Sequence, residues 1–233
     1  MALLLSMNFI CNHPSIEHCL KQQLINIFPE NNHKLTLYRC SKTDSILYRS
    51  PLFYYFTPAQ CQTIFNHLIA LFPQIQLKEG WLELLLDQQF LSFWLLKLND
   101  LIDKFFSDQL PLHPEGEFFF LFQYTHARYS SLFQLLNREK IRLTEPELLS
   151  WHHPAEIALI LQILTVCDCW EGQKLYPLTA NFCEAMLNFE RNCRIIGESS
   201  PIQRSRLILI SVSQKLLNRL LRQKWQLLPL TEL

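Results

Sequence analysis

Apolar residues recur every three or four positions over 15–28, where Ile16, Cys19, Leu20, Leu24 and Ile27 share one face of an expected helix. Alternation of polar and apolar residues replaces that period in 34–40 and 45–50, as expected for short half-buried strands. Pro58 after Thr57 signals a second helix, running to about residue 72. Residues 75–87 read as a hairpin turning at Lys78-Glu79-Gly80. A long apolar helix follows over about 89–106, with Trp94, Leu98 and Leu101 expected to be buried between the two halves of the chain. Pro111 and Pro114 mark 108–116 as a linker. Beyond it only the helical period remains, over about 117–138, 154–171, 176–196 and 201–225. Breaks fall at Thr144-Glu145-Pro146, at Gly172 and at Gly197-Glu198-Ser199-Ser200-Pro201. The expectation is a mostly α protein: a small α/β domain over 1–107, the linker 108–116, and a helical bundle over 117–233.

Composition narrows what such a chain does. Its 233 residues are 49% hydrophobic and 18% charged, the balance of a globular protein with a real core. Four glycines are few for a nucleotide-binding α/β fold. Net charge is zero, yet residues 1–120 carry 8 Lys/Arg against 11 Asp/Glu, and residues 121–233 carry 13 against 10. Any polyanion is therefore expected on the second half. No apolar run approaches the roughly 18 residues of a membrane span. The start Met1-Ala2-Leu3-Leu4-Leu5-Ser6 lacks a charged leader region, so a cytoplasmic protein is expected. The eight cysteines include no Cys-x-x-Cys. Cys11, His13, His18 and Cys19 lie close enough for a zinc site on a tight turn, but buried reduced thiols are the preferred reading and no metal is expected.

The most specific stretch is Gln123-Tyr124-Thr125-His126-Ala127-Arg128-Tyr129-Ser130-Ser131-Leu132. At helical spacing Tyr124, Ala127, Arg128 and Ser131 line one face, with small residues where a neighbouring helix approaches. The run resembles the first long helix of the DALR anticodon-binding domain, the all-helical C-terminal module of arginyl-tRNA synthetases, with its Gln-Tyr-Ala-His-Ala-Arg-like signature. Leu159-Ile160-Leu161-Gln162-Ile163-Leu164 is similar to the second helix of that module. Asn188-Phe189-Glu190-Arg191-Asn192-Cys193-Arg194-Ile195-Ile196 resembles its Phe-Asn-x-Phe-Tyr-x-x-Cys-x-Val-Leu segment, with Glu190 and Arg191 departing from the pattern. Arg206-Leu207-Ile208-Leu209-Ile210 resembles the start of its last long helix. The resemblance covers about 117–222 and implies a helical anticodon-binding-type bundle. Leu47-Tyr48-Arg49-Ser50 and Lys78-Glu79-Gly80-Trp81-Leu82-Glu83-Leu84 are similar to the N-terminal additional domain of the same synthetases.

In those synthetases a Rossmann domain with a His-Ile-Gly-His-like motif and a Lys-Met-Ser-Lys-Ser-like loop lies between the two parts. Phosphate cradles need glycines and a helix N-terminus aimed at the phosphate, and no such pattern occurs here. The chain is therefore expected to have no enzymatic activity of its own and no cofactor. His152-His153 beside Trp151 reads as a polar helix start before Pro154 rather than an acid–base pair. Asp100 and Asp103, one turn apart, read as a solvated face.

Unpaired RNA loops are held by bases stacked on aromatic rings and by Arg and Lys on phosphates. In the last helix Arg204, Ile208, Ser211, Lys215, Arg219 and Arg222 recur at spacings of three and four. Lys215, Arg219 and Arg222 share one face, while Leu209, Val212, Leu216 and Leu220 make the core face. Arg128, Arg138, Lys140 and Arg142 add charge near the first helix, and Tyr124 and Trp225 are candidate stacking rings. The bland alternatives are that Tyr124 packs in the bundle and that the basic stripe is an ordinary wet helix face. Two readings follow: binding of tRNA or another RNA through Tyr124, Arg128, Arg138, Lys140, Lys215, Arg219, Arg222 and Trp225, or service as a protein-assembly subunit through the apolar tail after Trp225. No membrane role is expected.

Overall fold

The alternating residues of 45–50 and 81–86 become the two central strands of a four-stranded antiparallel sheet. In the computed structural model the described residues are 13–27, 36–42, 45–51, 54–69, 72, 74–105, 119–139, 141, 149–172 and 174–232. Contacts divide the chain between Leu91 and Ser92 into two compact units. The first holds α1 (Ile16–Ile27), β1 (Tyr38–Lys42), β2 (Ser45–Ser50), α2 (Pro58–Ile69), β3 (Ile75–Lys78) and β4 (Trp81–Leu86), with strand order β1-β2-β4-β3.

Register places Ile46, Tyr48 and Ser50 of β2 opposite Leu86, Leu84 and Leu82 of β4, all buried, so one sheet face forms core. Helices α1 and α2 bury Ile16, Cys19, Leu20 and Leu24, and Cys61, Ile64 and Leu68. On the opposite sheet face Arg49 pairs with Glu83 at 2.9 Å and lies over the Trp81 ring at 4.6 Å. The hairpin turns where expected: Glu79 and Gly80 both have positive φ, the two-residue turn that matches strand twist. Strand β1 begins later than the 34–40 alternation indicated; α2 is described to Ile69, and residues 70 and 71 of its expected end lie outside the described residues.

Helix α3 (Gln88–Phe105) starts where Asp87 Oδ1 accepts the Phe90 N–H at 2.8 Å. Trp94 and Leu98 are buried, but Leu101 is only partly so. Ile102 takes the inward place, because the apolar row Leu91, Leu95, Leu98, Ile102 follows the helix period and Leu101 sits at its edge. The expected linker 108–116 lies outside the described residues.

From residue 119 onward the described residues form helices and turns, with no strand: α4 (Phe120–Arg138), α5 (Pro154–Asp168), α6 (Leu175–Asn192), α7 (Ser200–Arg219), and a π-helical turn over Leu220–Lys224. No described helix is long and apolar enough to cross a membrane. Helix α5 is apolar nearly all round and packs against α6 and α7, burying Leu159, Ile160, Ile163 and Leu164. Its start is made by the His152-His153 pair. His153 Nδ1 accepts the Ala155 N–H, and Glu156 Oε2 accepts the N–H of both histidines. The same Glu156, itself buried, pairs through Oε1 with Arg206 Nε of α7 at 2.6 Å. Arg206 also donates to the Arg194 carbonyl, which ties down the segment after Cys193. Helix α6 accordingly stops at Asn192, short of the expected residue 196, as the chain extends through Cys193.

In the first unit His13 stacks on His18 with ring centroids 3.9 Å apart. His13 Nδ1 accepts the Ser15 N–H, and the Cys19 thiol donates to the His13 carbonyl. Cys11 lies outside the described residues, among which no three metal-ligating side chains gather. Cys167 is buried and Cys169 exposed, the divergence that a two-residue spacing on a helix dictates.

Candidate functional site

Helix α7 decides the geometry of the second unit's charged surface. Its apolar positions Leu209, Val212, Leu216 and Leu220 are fully buried. Ile208 and Ser211, which the stripe counted on its polar face, are buried as well, and Ser211 donates to Asn99 Oδ1 of α3 at 2.7 Å. The stripe is therefore broken at Ile208 and Ser211: Arg204 is partly exposed before the break, and Lys215, Arg219 and Arg222 are partly exposed after it. There Asp103, Gln214, Lys215, Asn218, Arg219 and Arg222 line a groove of about 280 Å³.

The cations of this groove are held in place. Lys215 Nζ donates to the Asn99 carbonyl at 2.8 Å and to Asp103 Oδ2 at 2.6 Å. Arg219 lies 3.7 Å from Asp103 Oδ1 with its side chain only 11% exposed. Arg222 Nε donates to Asn218 Oδ1 at 3.1 Å. The face is neither a free basic stripe nor a plain wet surface, since α3 supplies a counter-ion and a carbonyl to it. Asp103, expected on a solvated face, is half-exposed but paired.

Asn218 carries the network inward. Its Nδ2 meets His126 Nε2 of α4 at 3.2 Å, and His126 Nδ1 meets the Leu230 carbonyl at 2.7 Å. A carbonyl only accepts, so Nδ1 bears the proton, and Nε2 accepts from Asn218 in a neutral ring. Burial lowers the His126 pKa below its ordinary value; the Leu230 bond opposes the shift and the Arg222 charge adds to it. Gln123, one turn earlier, donates to the Leu228 carbonyl and accepts the Leu230 N–H, both at 2.9 Å. The chain returns to α4 through Gln226, at φ 52, after the Leu221 carbonyl accepts the Leu227 N–H.

Much of the rest of the Gln123–Leu132 signature packs the bundle, while Arg128 and Ser131 are exposed. Tyr129, fully buried, donates to the Met186 carbonyl of α6 at 2.7 Å, and burial pushes its phenol well above the usual range. Ser130 accepts from Gln214. Arg128 is exposed and ion-paired with Glu190 of α6 at 2.5 Å, so the departure at Glu190 has a structural counterpart. Tyr124 is half-buried, stacked on the exposed Phe120 with centroids 5.8 Å apart.

Arg138 is exposed at the end of α4, away from any described ion pair; Lys140 and Arg142 lie outside the described residues. Trp225 is not the exposed ring the sequence suggested. The π-helical turn swings it inward, where it meets Phe119, Phe122 and Tyr176 and donates to Thr179 Oγ1 at 3.2 Å. Leu227 is buried, leaving Leu228 and Leu230 as the exposed large apolar side chains among the described residues of the tail. Sequence reasoning missed Asn99, Asp103, Asn218 and the roles of Gln123 and His126. Only Asn218, one helical step from Lys215 and Arg222, carried a positional signal.

Residues 122–223 match the DALR anticodon binding domain. The matched span of the DALR segment runs from the signature helix through the π-helical turn, and so includes His126, Lys215, Asn218, Arg219 and Arg222. No curated protein and no solved structure matches the chain.

Proposed function

We propose that this chain is a non-catalytic, arginyl-tRNA synthetase-like protein of the cytoplasm that binds tRNA or another structured RNA. The observation that carries the reading is the coincidence of the DALR segment with a pre-ordered groove holding Lys215, Arg219 and Arg222. Three cations held on one helical face suit contacts to the backbone phosphates of an unpaired loop, and contacts of that kind position RNA without reading its sequence. The shortage of glycines and of any phosphate-cradling loop supports a binding role rather than amino-acid activation. The reading is tested by titrating the protein with tRNA and with an anticodon stem-loop over a range of salt. Changing Lys215, Arg219 and Arg222 together to Gln is expected to weaken binding and to flatten the log–log salt slope by about 2, at about 0.7 for each lost contact to a single strand. Affinity that is already non-specific in the parent, and indifferent to the triple change, would overturn it.

A second reading, a synthetase-derived assembly subunit, draws on the signature residues being occupied in packing and on the exposure of Leu228 and Leu230. It predicts that polar substitutions at those two leucines release a protein partner while RNA affinity stays unchanged.

A further inference from the structure

Asp103 stands in an unusual place. It lies in the last turn of α3, where the partial negative charge of the helix end disfavours a carboxylate. Its two oxygens are divided between two cations of another helix: Oδ2 toward Lys215 Nζ at 2.6 Å and Oδ1 toward Arg219 at 3.7 Å. Two oxygens on one centre, each facing a different cation, is the arrangement in which a phosphate group bridges a Lys and an Arg.

The members of this trio differ in how firmly they are held. Asp103 is 53% exposed, whereas the side chains of Lys215 and Arg219 are 29% and 11% exposed. Lys215 keeps a second anchor on the Asn99 carbonyl, and Arg222 is oriented independently by Asn218. Rotation of the Asp103 side chain toward solvent therefore leaves three cations standing in nearly the same places. An ion pair this exposed biases its equilibrium by a factor of about five at most. A polyanion can overcome such a bias and a single weakly bound anion cannot.

We propose that Asp103 is a built-in competitor for phosphate in this groove, holding the Lys215–Arg219 position until a polyphosphate or phosphodiester chain displaces it. For a phosphodiester the inference rests on the RNA reading above; for a small polyphosphate it stands without it. The groove then favours ligands that present several phosphates at once over isolated anions in solution.

The test uses the full chain, Asp103→Asn, and two probes: tripolyphosphate and a single-stranded RNA oligonucleotide. Removing the competitor is expected to tighten both about three- to tenfold at low salt, within the bias of two exposed pairs. The salt slope for RNA should stay close to the parent's, since the same phosphates engage once Asp103 has been displaced. Asp103→Glu, which keeps the charge, is expected to bind like the parent, and adding Arg222→Gln to Asp103→Asn should reverse part of the gain. If Asp103→Asn folds poorly, Asp103→Ser reads the same difference. Tightening of tripolyphosphate without RNA binding would sustain the competitor and sink the RNA reading. RNA binding in the parent that neither Asn nor Ser at position 103 alters would sustain the RNA reading and overturn the competitor. Equal tightening by Glu and Asn would overturn it too, since the effect would then owe nothing to charge.

Discussion

His126 is held between the Leu230 carbonyl, which can only accept, at Nδ1 and the Asn218 amide, whose NH₂ faces Nε2. Protonating the ring puts a second N–H against the Asn218 NH₂. Rotating that amide relieves the clash but turns the NH₂ toward Arg222 Nε, which now donates to its oxygen. Burial depresses the His126 pKa, the Arg222 charge adds to the shift, and the Leu230 bond opposes it. A depressed pKa means the unfolded chain takes up the proton first. The associated stability is fully present above about pH 6.5 and is lost as pH falls from there through the folded value. His126→Gln, whose amide can donate to Leu230 and accept from Asn218 without titrating, is expected to shrink the drop in melting temperature between about pH 7.5 and about pH 5.5. An equal drop in parent and variant would assign the pH dependence to the other histidines. The identity of Gln123 and His126 was legible in the sequence, but their task was not. Their tail partners lie more than a hundred residues away, on a segment that returns to α4 after the π-helical turn.

At the scale of elements the hydrophobic period was a sound guide, because burial on one side of a helix or strand leaves its mark on every third, fourth or second residue. It located the hairpin at Lys78-Glu79-Gly80, the starts of α2 and α5, and the core face of α7. It misjudged the ends, where long-range bonds decide. Helix α6 stops because Arg206 holds the Arg194 carbonyl, and Trp225 turns inward because five residues adopt the wider π geometry that no apolar period announces. The returning tail is fastened to α4 by the two Gln123 bonds. At about 0.5–1.5 kcal/mol for each, and with both exposed to water, Gln123→Ala should cost about 1 kcal/mol in urea unfolding. Limited proteolysis should then cut the tail near Leu228 at least several-fold faster, while cleavage elsewhere stays unchanged. A variant that loses stability without faster cutting of the tail would show that Gln123 acts on α4 alone.

For the whole molecule, the sequence announced a basic second half and a bundle of anticodon-binding type, but not the counter-ion inside its groove. Asp103 and Lys215 are 112 residues apart, and a lone carboxylate on a polar helix face looks the same whether it meets water or a cation. Helix α3 is the element that brings them together, for residues 92–105 pack as part of the second unit. Two outcomes follow. The proposed non-catalytic role predicts that the purified chain shows no arginine-dependent exchange of pyrophosphate into ATP above background. The second outcome concerns where a functional fragment begins. A fragment of residues 92–233 should fold by itself, with a helical circular-dichroism spectrum and a single cooperative melt, since it keeps Trp94, Leu95, Leu98 and Ile102 together with Asn99 and Asp103. A fragment starting at 117, which follows the sequence boundary, loses all of these and uncovers the buried Ser211 face of α7. Stripping several large apolar side chains from a core costs about 2–5 kcal/mol each, as much as the whole stability of a small bundle. The shorter fragment should therefore melt far lower or not cooperatively. Equal melting of the two fragments would show that α3 is dispensable to the bundle, and with it the placement of Asp103 over Lys215.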